Sequence, residues 1–133
     1  MNVRRDEAGL VGKMIVVWLL VLGLLAVAAI DAASIAFTTY RLSDAGSVAA
    51  SEGARAYRQR QDIRDTCERV TEVLSRQEPT ARVARGGCSI ERPTGIVTVK
   101  VRERANTLVA HRLPWTEKLA LVVVTETAGP PSL

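Results

Sequence analysis

Aromatic side chains are scarce in this chain: Phe37, Trp18, Trp115, Tyr40 and Tyr57 are the only ones in 133 residues. A surface that stacks nucleic-acid bases needs several aromatics set among cations, so the chain lacks that equipment. Histidine is scarcer, with His111 alone. There are two cysteines, Cys67 and Cys88, with twenty residues between them. No Cys-x-x-Cys or His-x-x-x-His pair occurs, and no glycine-rich phosphate loop, which leaves metal, redox and nucleotide sites without their parts. Arg112 beside His111 and Trp115 four residues on make no nucleophile-and-base set. His111 is expected in a loop or on the surface. The expectation is a protein without catalysis, cofactor or small-molecule substrate.

What is present is aliphatic. Apolar residues make up 47% of the chain, and Ala, Val and Leu supply most of them. Such small volumes suit closely approaching helices better than a ligand pocket. The length allows one domain. The formal charge is +4, carried by fifteen Arg and three Lys against fourteen acids. Acids are interspersed with the bases throughout, which describes a solvated surface near anionic lipid or wall polymer better than a DNA site. No nucleic-acid partner is expected, although Arg55, Arg58, Arg60 and Arg64 keep DNA uptake as a third reading.

Residues 14–30 carry no charge. As a helix they reach about 25 Å, against a hydrocarbon thickness of about 30 Å. Asp31 interrupts the run, but Ala32, Ala33, Ile35, Ala36 and Phe37 extend it, so a span over residues 14–33 is expected. Arg4, Arg5 and Lys13 precede the span, whereas only Arg41 lies in the twenty residues after it. The positive-inside rule then places residues 1–13 in the cytoplasm and the remainder outside. A cleaved secretory signal ending near Ala26-Val27-Ala28 is the rival. Against it, no Pro or Gly interrupts residues 26–41.

Beyond Tyr40 the pattern becomes amphipathic. Leu42, Ala49, Ala56, Ile63 and Val70 recur every seven residues, and Gly46, Gly53, Arg60, Cys67 and Leu74 form a second line. This predicts that the helix continues through residues 34–76. Arg58 with Asp62, Arg64 with Glu68, Asp65 with Arg69, and Glu72 with Arg76 fall at i,i+4 spacing on the solvated face. Ala45, Gly46, Ala49, Gly53 and Ala56 form a stripe of small residues, a helix-packing surface. Either a β-sheet of the same chain or the same helix of another subunit would cover it. Asp31 is read as an interfacial carboxylate facing water, or as a polar contact to a base on a neighbouring subunit.

Pro79, Gly86 and Gly87 end the helix. Residues 77–128 hold three strand-like runs, at 88–92, 96–102 and 119–127; the last is apolar enough to be the central one. In the second, Val97, Val99 and Val101 share one face. Residues 129–133 read as a disordered tail. The fold class is therefore α+β: a long N-terminal helix, half in membrane, packed on a small antiparallel sheet. Outside the cytoplasm an isolated cysteine pair is usually a disulfide, so Cys67–Cys88 is expected to be one, with free thiols as the alternative.

The order of these features resembles a known family. A basic N-terminus, a membrane helix and an Asp lead into Arg41-Leu42-Ser43-Asp44-Ala45, and then into Ala49-Ala50-Ser51-Glu52-Gly53-Ala54-Arg55-Ala56. Over roughly residues 10–60 this is similar to the TadE-like family, minor pilins or pseudopilins of tight-adherence type IV pilus systems. Glu52, Gly53, Ala54 and Arg55 are the most specific part. The resemblance implies a structural, non-catalytic subunit or assembly accessory in a bacterial envelope. Its partners would be the bilayer, other pilin-like subunits and assembly platform proteins. It also implies a leader cut after a glycine, for which Gly9 and Gly12 are the candidates. The family's glutamate just inside the helix is missing here: residues 10–17 hold no acid, and Glu7 precedes both glycines. An unprocessed, membrane-resident member fits equally well. The alternative function is an anchored extracytoplasmic module that binds an envelope partner or wall polymer.

Overall fold

The computed structural model describes residues 3–129, with side chains from residue 9 onward. A single helix, α1, runs Val3–Arg60. Its 58 residues correspond to about 87 Å. No proline precedes Pro79, and leucine and alanine dominate the run, so nothing interrupts the backbone ladder. Residues 3–13 and the apolar run are thus one helix. The expected tail at 129–133 lies, apart from Gly129, outside the described residues.

The helix does not continue to residue 76. It stops at Arg60, and Gln61 adopts a left-handed backbone at φ 55°. Asp62 then caps a second helix, α2, at Ile63–Gln77. Its carboxylate accepts from the Asp65 amide at 2.9 Å, and its carbonyl accepts from the Thr66 hydroxyl at 2.6 Å. Asp is among the best residues at this position because it satisfies an amide the helix itself cannot. α2 folds back on α1, with Thr66 and Val70 against Gly53. The seven-residue repeat therefore describes two faces meeting in a hairpin rather than one long stripe. At the far end Pro79 holds Glu78 extended, and the Glu78 amide closes α2 on the Leu74 carbonyl at 2.8 Å.

Three antiparallel strands follow in the order β1-β2-β3. β1 is Arg82–Glu91, β2 is Ile96–Arg104 and β3 is Leu121–Ala128. The central strand is β2, not residues 119–127, and β3 is an edge whose Leu121 and Val123 stay exposed. β1 begins six residues before Cys88 because it bulges. Val83 pairs with Val101 and Cys88 with Val99, so five steps along β1 answer two along β2. Gly86 turns there at φ 66°, and a Cβ at Gly87 would stand 2.7 Å from the carbonyl oxygens of Ala84 and Lys100. Only glycine fits.

As the alternation implied, Val97, Val99 and Val101 face inward and are fully buried. They meet Leu42, Ala45, Ala49, Ala50 and Ala54 of α1 and Val70, Val73 and Leu74 of α2. β2 and β3 lie on α1, and β1 on α2. The class is α+β, as the sequence indicates.

Candidate functional site

The first functional surface is the exposed part of α1. From Leu10 to Ile30 its large aliphatic side chains are open to the surroundings, Leu24 the most at 76%. Among the described residues this is the one helix long and apolar enough to cross a membrane. A soluble chain this small would cover such a surface, because each buried leucine-sized side chain contributes about 1.5–3 kcal/mol. The helix fits a single-pass membrane anchor. Gly9 and Gly12 sit near its start with nothing within 4 Å of an added Cβ.

At the end of the apolar run stands Asp31, only 8% exposed. Its oxygens are engaged within the chain rather than turned to water. Its carboxylate accepts from three successive amides of the 105–116 loop: Leu108 at 2.6 Å, and Val109 and Ala110 at 3.0 Å each. Consecutive N–H groups in a turn form an anion-binding concavity, and here the anion is a side chain of the same chain. One helical turn on, the Ser34 hydroxyl donates to the Asn106 carbonyl at 2.6 Å. The loop is thus clasped to α1 at residues 31–34. His111 lies in it and is exposed, with its amide donating to Thr107 Oγ1 at 3.1 Å. Nothing in the sequence marks these loop amides; the Asp closing an uncharged apolar run is the available hint.

The small-residue stripe is covered from within. Ala45 and Ala49 are buried, and Ala56 is half-buried. A Cβ at Gly46 would meet Glu126 Cγ at 3.1 Å and Val101 Cγ2 at 3.4 Å, and one at Gly53 would meet Val70 Cγ2 at 2.5 Å. The chain's own sheet and α2 take the place that another subunit's helix was also expected to fill. The Glu52-Gly53-Ala54-Arg55 run accordingly divides. Gly53 and Ala54 pack inward, while Arg55 pairs with Glu52 at 3.1 Å on the surface.

That pair opens onto a cleft of about 740 Å³ between α1 and α2, shared with Arg60, Asp65, Glu68, Arg69 and Glu72. Arg60 pairs with Asp65 at 3.1 Å and Arg69 with Glu72 at 3.0 Å. Of the expected i,i+4 pairs, Arg64–Glu68 at 3.3 Å and Glu72–Arg76 form. Asp65 pairs with Arg60 across the break between the helices rather than with Arg69. Cys67 and Cys88 form a disulfide, with Cα atoms 5.9 Å apart. It ties α2, rather than the long helix, to β1.

A half-buried ionic node has no signature in the sequence. Arg41 pairs with Glu78 at 3.2 Å and Glu103 at 3.3 Å, and Thr80 donates to the same Glu103 oxygen at 2.6 Å. The Arg41 guanidinium also lies 5.5 Å from the Phe37 ring centroid. Nearby, Ser43 donates to Glu126 at 2.5 Å. These partners are far apart in sequence and have no shared periodicity, so nothing local announces them. Compared with known protein families, characterised proteins and solved structures, the chain matches none.

Proposed function

We propose that the protein is a non-catalytic, pilin-like subunit or assembly accessory of a tight-adherence type IV pilus or secretion system, with its folded part outside the cytoplasm. The observation that carries this reading is the single long helix. Its first half presents an open apolar surface all round, while its second half belongs to a disulfide-closed α+β head. Such a layout delivers a compact head at a membrane and leaves the apolar half free to pack among lipids or like helices. The partner-facing surface in this reading is residues 14–30, since the stripe at 45–56 is occupied by the chain itself.

The experiment is cysteine crosslinking in native membranes from Val17, Leu20 and Leu24, with mass spectrometry of the mature N-terminus. Crosslinks to other small single-span subunits, concentrated on one helix face, support the reading. Crosslinking to no protein at any position would overturn it. A start at Leu10 or Lys13 means leader processing, and an intact N-terminus means a resident accessory. A start near Ala29 means a secreted head and removes the anchor.

A second reading is favoured by the charged cleft between α1 and α2: an anchored module that binds an envelope partner or wall polymer there. Charge reversal at Arg55 and Arg69 would then abolish the association while leaving the helix crosslinks unchanged.

A further inference from the structure

The 105–120 segment has an unusual surface for a loop. Leu108, Val109, Trp115 and Leu119 are all exposed, Trp115 at 79%. Between them lie the cations Arg112 and Lys118. The acid of the segment, Glu117, is engaged with Arg104 at 3.5 Å. An apolar set interleaved with cations, including a tryptophan, is the composition that partitions to a bilayer surface: the ring sits at headgroup depth and the cations meet lipid phosphates.

The fold places the segment at that depth. Through Asp31 and Ser34 it is clasped to α1 directly where the uncharged run ends. If the hydrocarbon begins near Met14, about 30 Å of it is used up near residue 33 at about 1.5 Å per residue. The clasped loop therefore stands at the boundary between acyl chains and headgroups. Its backbone is prepared for such a place. Arg112 N donates to Val109 O at 2.9 Å, Glu117 N to Leu113 O at 2.9 Å and Leu119 N to Thr116 O at 2.9 Å, and the Leu108, Val109 and Ala110 amides are taken by Asp31. Unsatisfied amides would resist leaving water; these are already paired.

We infer that residues 105–120 form an interfacial foot that seats the head on the bilayer in which α1 is anchored. The occupant of the apolar patch is lipid, and Asp31 is the latch that fixes the foot's height. This rests on the membrane reading of α1 and adds a second, peripheral contact. Its consequence is a head held at a fixed orientation to the membrane plane rather than swivelling on a single helix.

The test uses the full chain in vesicles of zwitterionic lipid with an anionic fraction, as two single-tryptophan forms. Trp18→Phe leaves Trp115 as the reporter, and Trp115→Phe leaves Trp18. Lipids brominated at shallow or deep acyl positions quench from inside, and acrylamide from the water. The expected result is that Trp18 is quenched by lipid bromines, and that Trp115 is quenched by shallow bromines more than by deep ones. Leu108→Asp with Val109→Asp should transfer Trp115 quenching from bromine to acrylamide and leave the circular dichroism unchanged. Trp115 quenched by acrylamide alone, with Trp18 still quenched by lipid, would overturn the foot and spare the anchor. Trp115 shielded from both quenchers would overturn it in favour of a protein neighbour. Trp18 unaffected by any brominated lipid would remove the anchor and the foot together.

Discussion

Gly53→Ala should destabilise the protein, although it replaces a helix-interior glycine with the best helix former. In an open helix this change stabilises by about 1 kcal/mol. Here the new methyl would lie 2.5 Å from Val70 Cγ2, inside any real carbon–carbon contact. Val70 is fully buried and β-branched, and Val97 Cγ1 at 3.4 Å and Thr66 Cγ2 at 3.6 Å close the other sides. It has little freedom to move aside. Overpacking of this kind costs about 1–3 kcal/mol, so the net loss is about 1 kcal/mol. Val70→Ala alone removes two buried methyl groups and costs about 2 kcal/mol including its cavity. In the double variant the new methyl occupies the space those groups leave, so its loss should fall short of the sum of the two single losses by at least about 1 kcal/mol. Urea unfolding of the full chain in detergent, with the disulfide intact, measures all three variants. If Gly53→Ala stabilises by the full propensity difference and adds independently to Val70→Ala, α2 does not lie on Gly53. The small-residue stripe would then be free for another subunit.

Four further perturbations probe the rest of the fold. Gly46→Ala should change stability by less than about 0.5 kcal/mol, because its nearest neighbour, Glu126 Cγ at 3.1 Å, belongs to a flexible side chain and the propensity gain offsets the adjustment; the same unfolding measurement checks it. Asp62→Ala should cost about 1 kcal/mol through the lost cap, and Gln61→Gly should gain about 0.5–1 kcal/mol by relieving the left-handed residue, both read as opposite shifts of the urea midpoint. Replacing Cys67 and Cys88 by Ser should lower stability by about 3 kcal/mol, the loop-closure value for a separation of 21 residues, and wild type should match that loss only after full reduction.

Interactions that are local along the chain were the legible ones. The apolar run needs only its composition, the inward face of β2 only the alternation of Val97, Val99 and Val101, and the disulfide only an isolated cysteine pair. The break at Gln61 was harder to see. Asp62 stands at i,i+4 from Arg58, and the heptad spacing runs through it unbroken, so the pattern describes one helix. In the fold its carboxylate accepts from the Asp65 amide and caps α2, which gains a buried face by turning back. The strand order is hidden for a related reason. Leu121 and Val123 look like core, yet they lie on the outer face of an edge strand, where apolarity reports what the surface meets rather than what the core holds.

That one helix carries an uninterrupted apolar surface, with an α+β head and a cysteine pair after it, is legible along the chain, because such features depend on neighbours a few residues apart. Folding alone sets Gly53 against Val70, brings the 105–116 loop to Asp31, and bridges Glu78 and Glu103 through Arg41. Each of these joins groups distant along the chain, and no repeat in the sequence encodes where the folded backbone will bring them together.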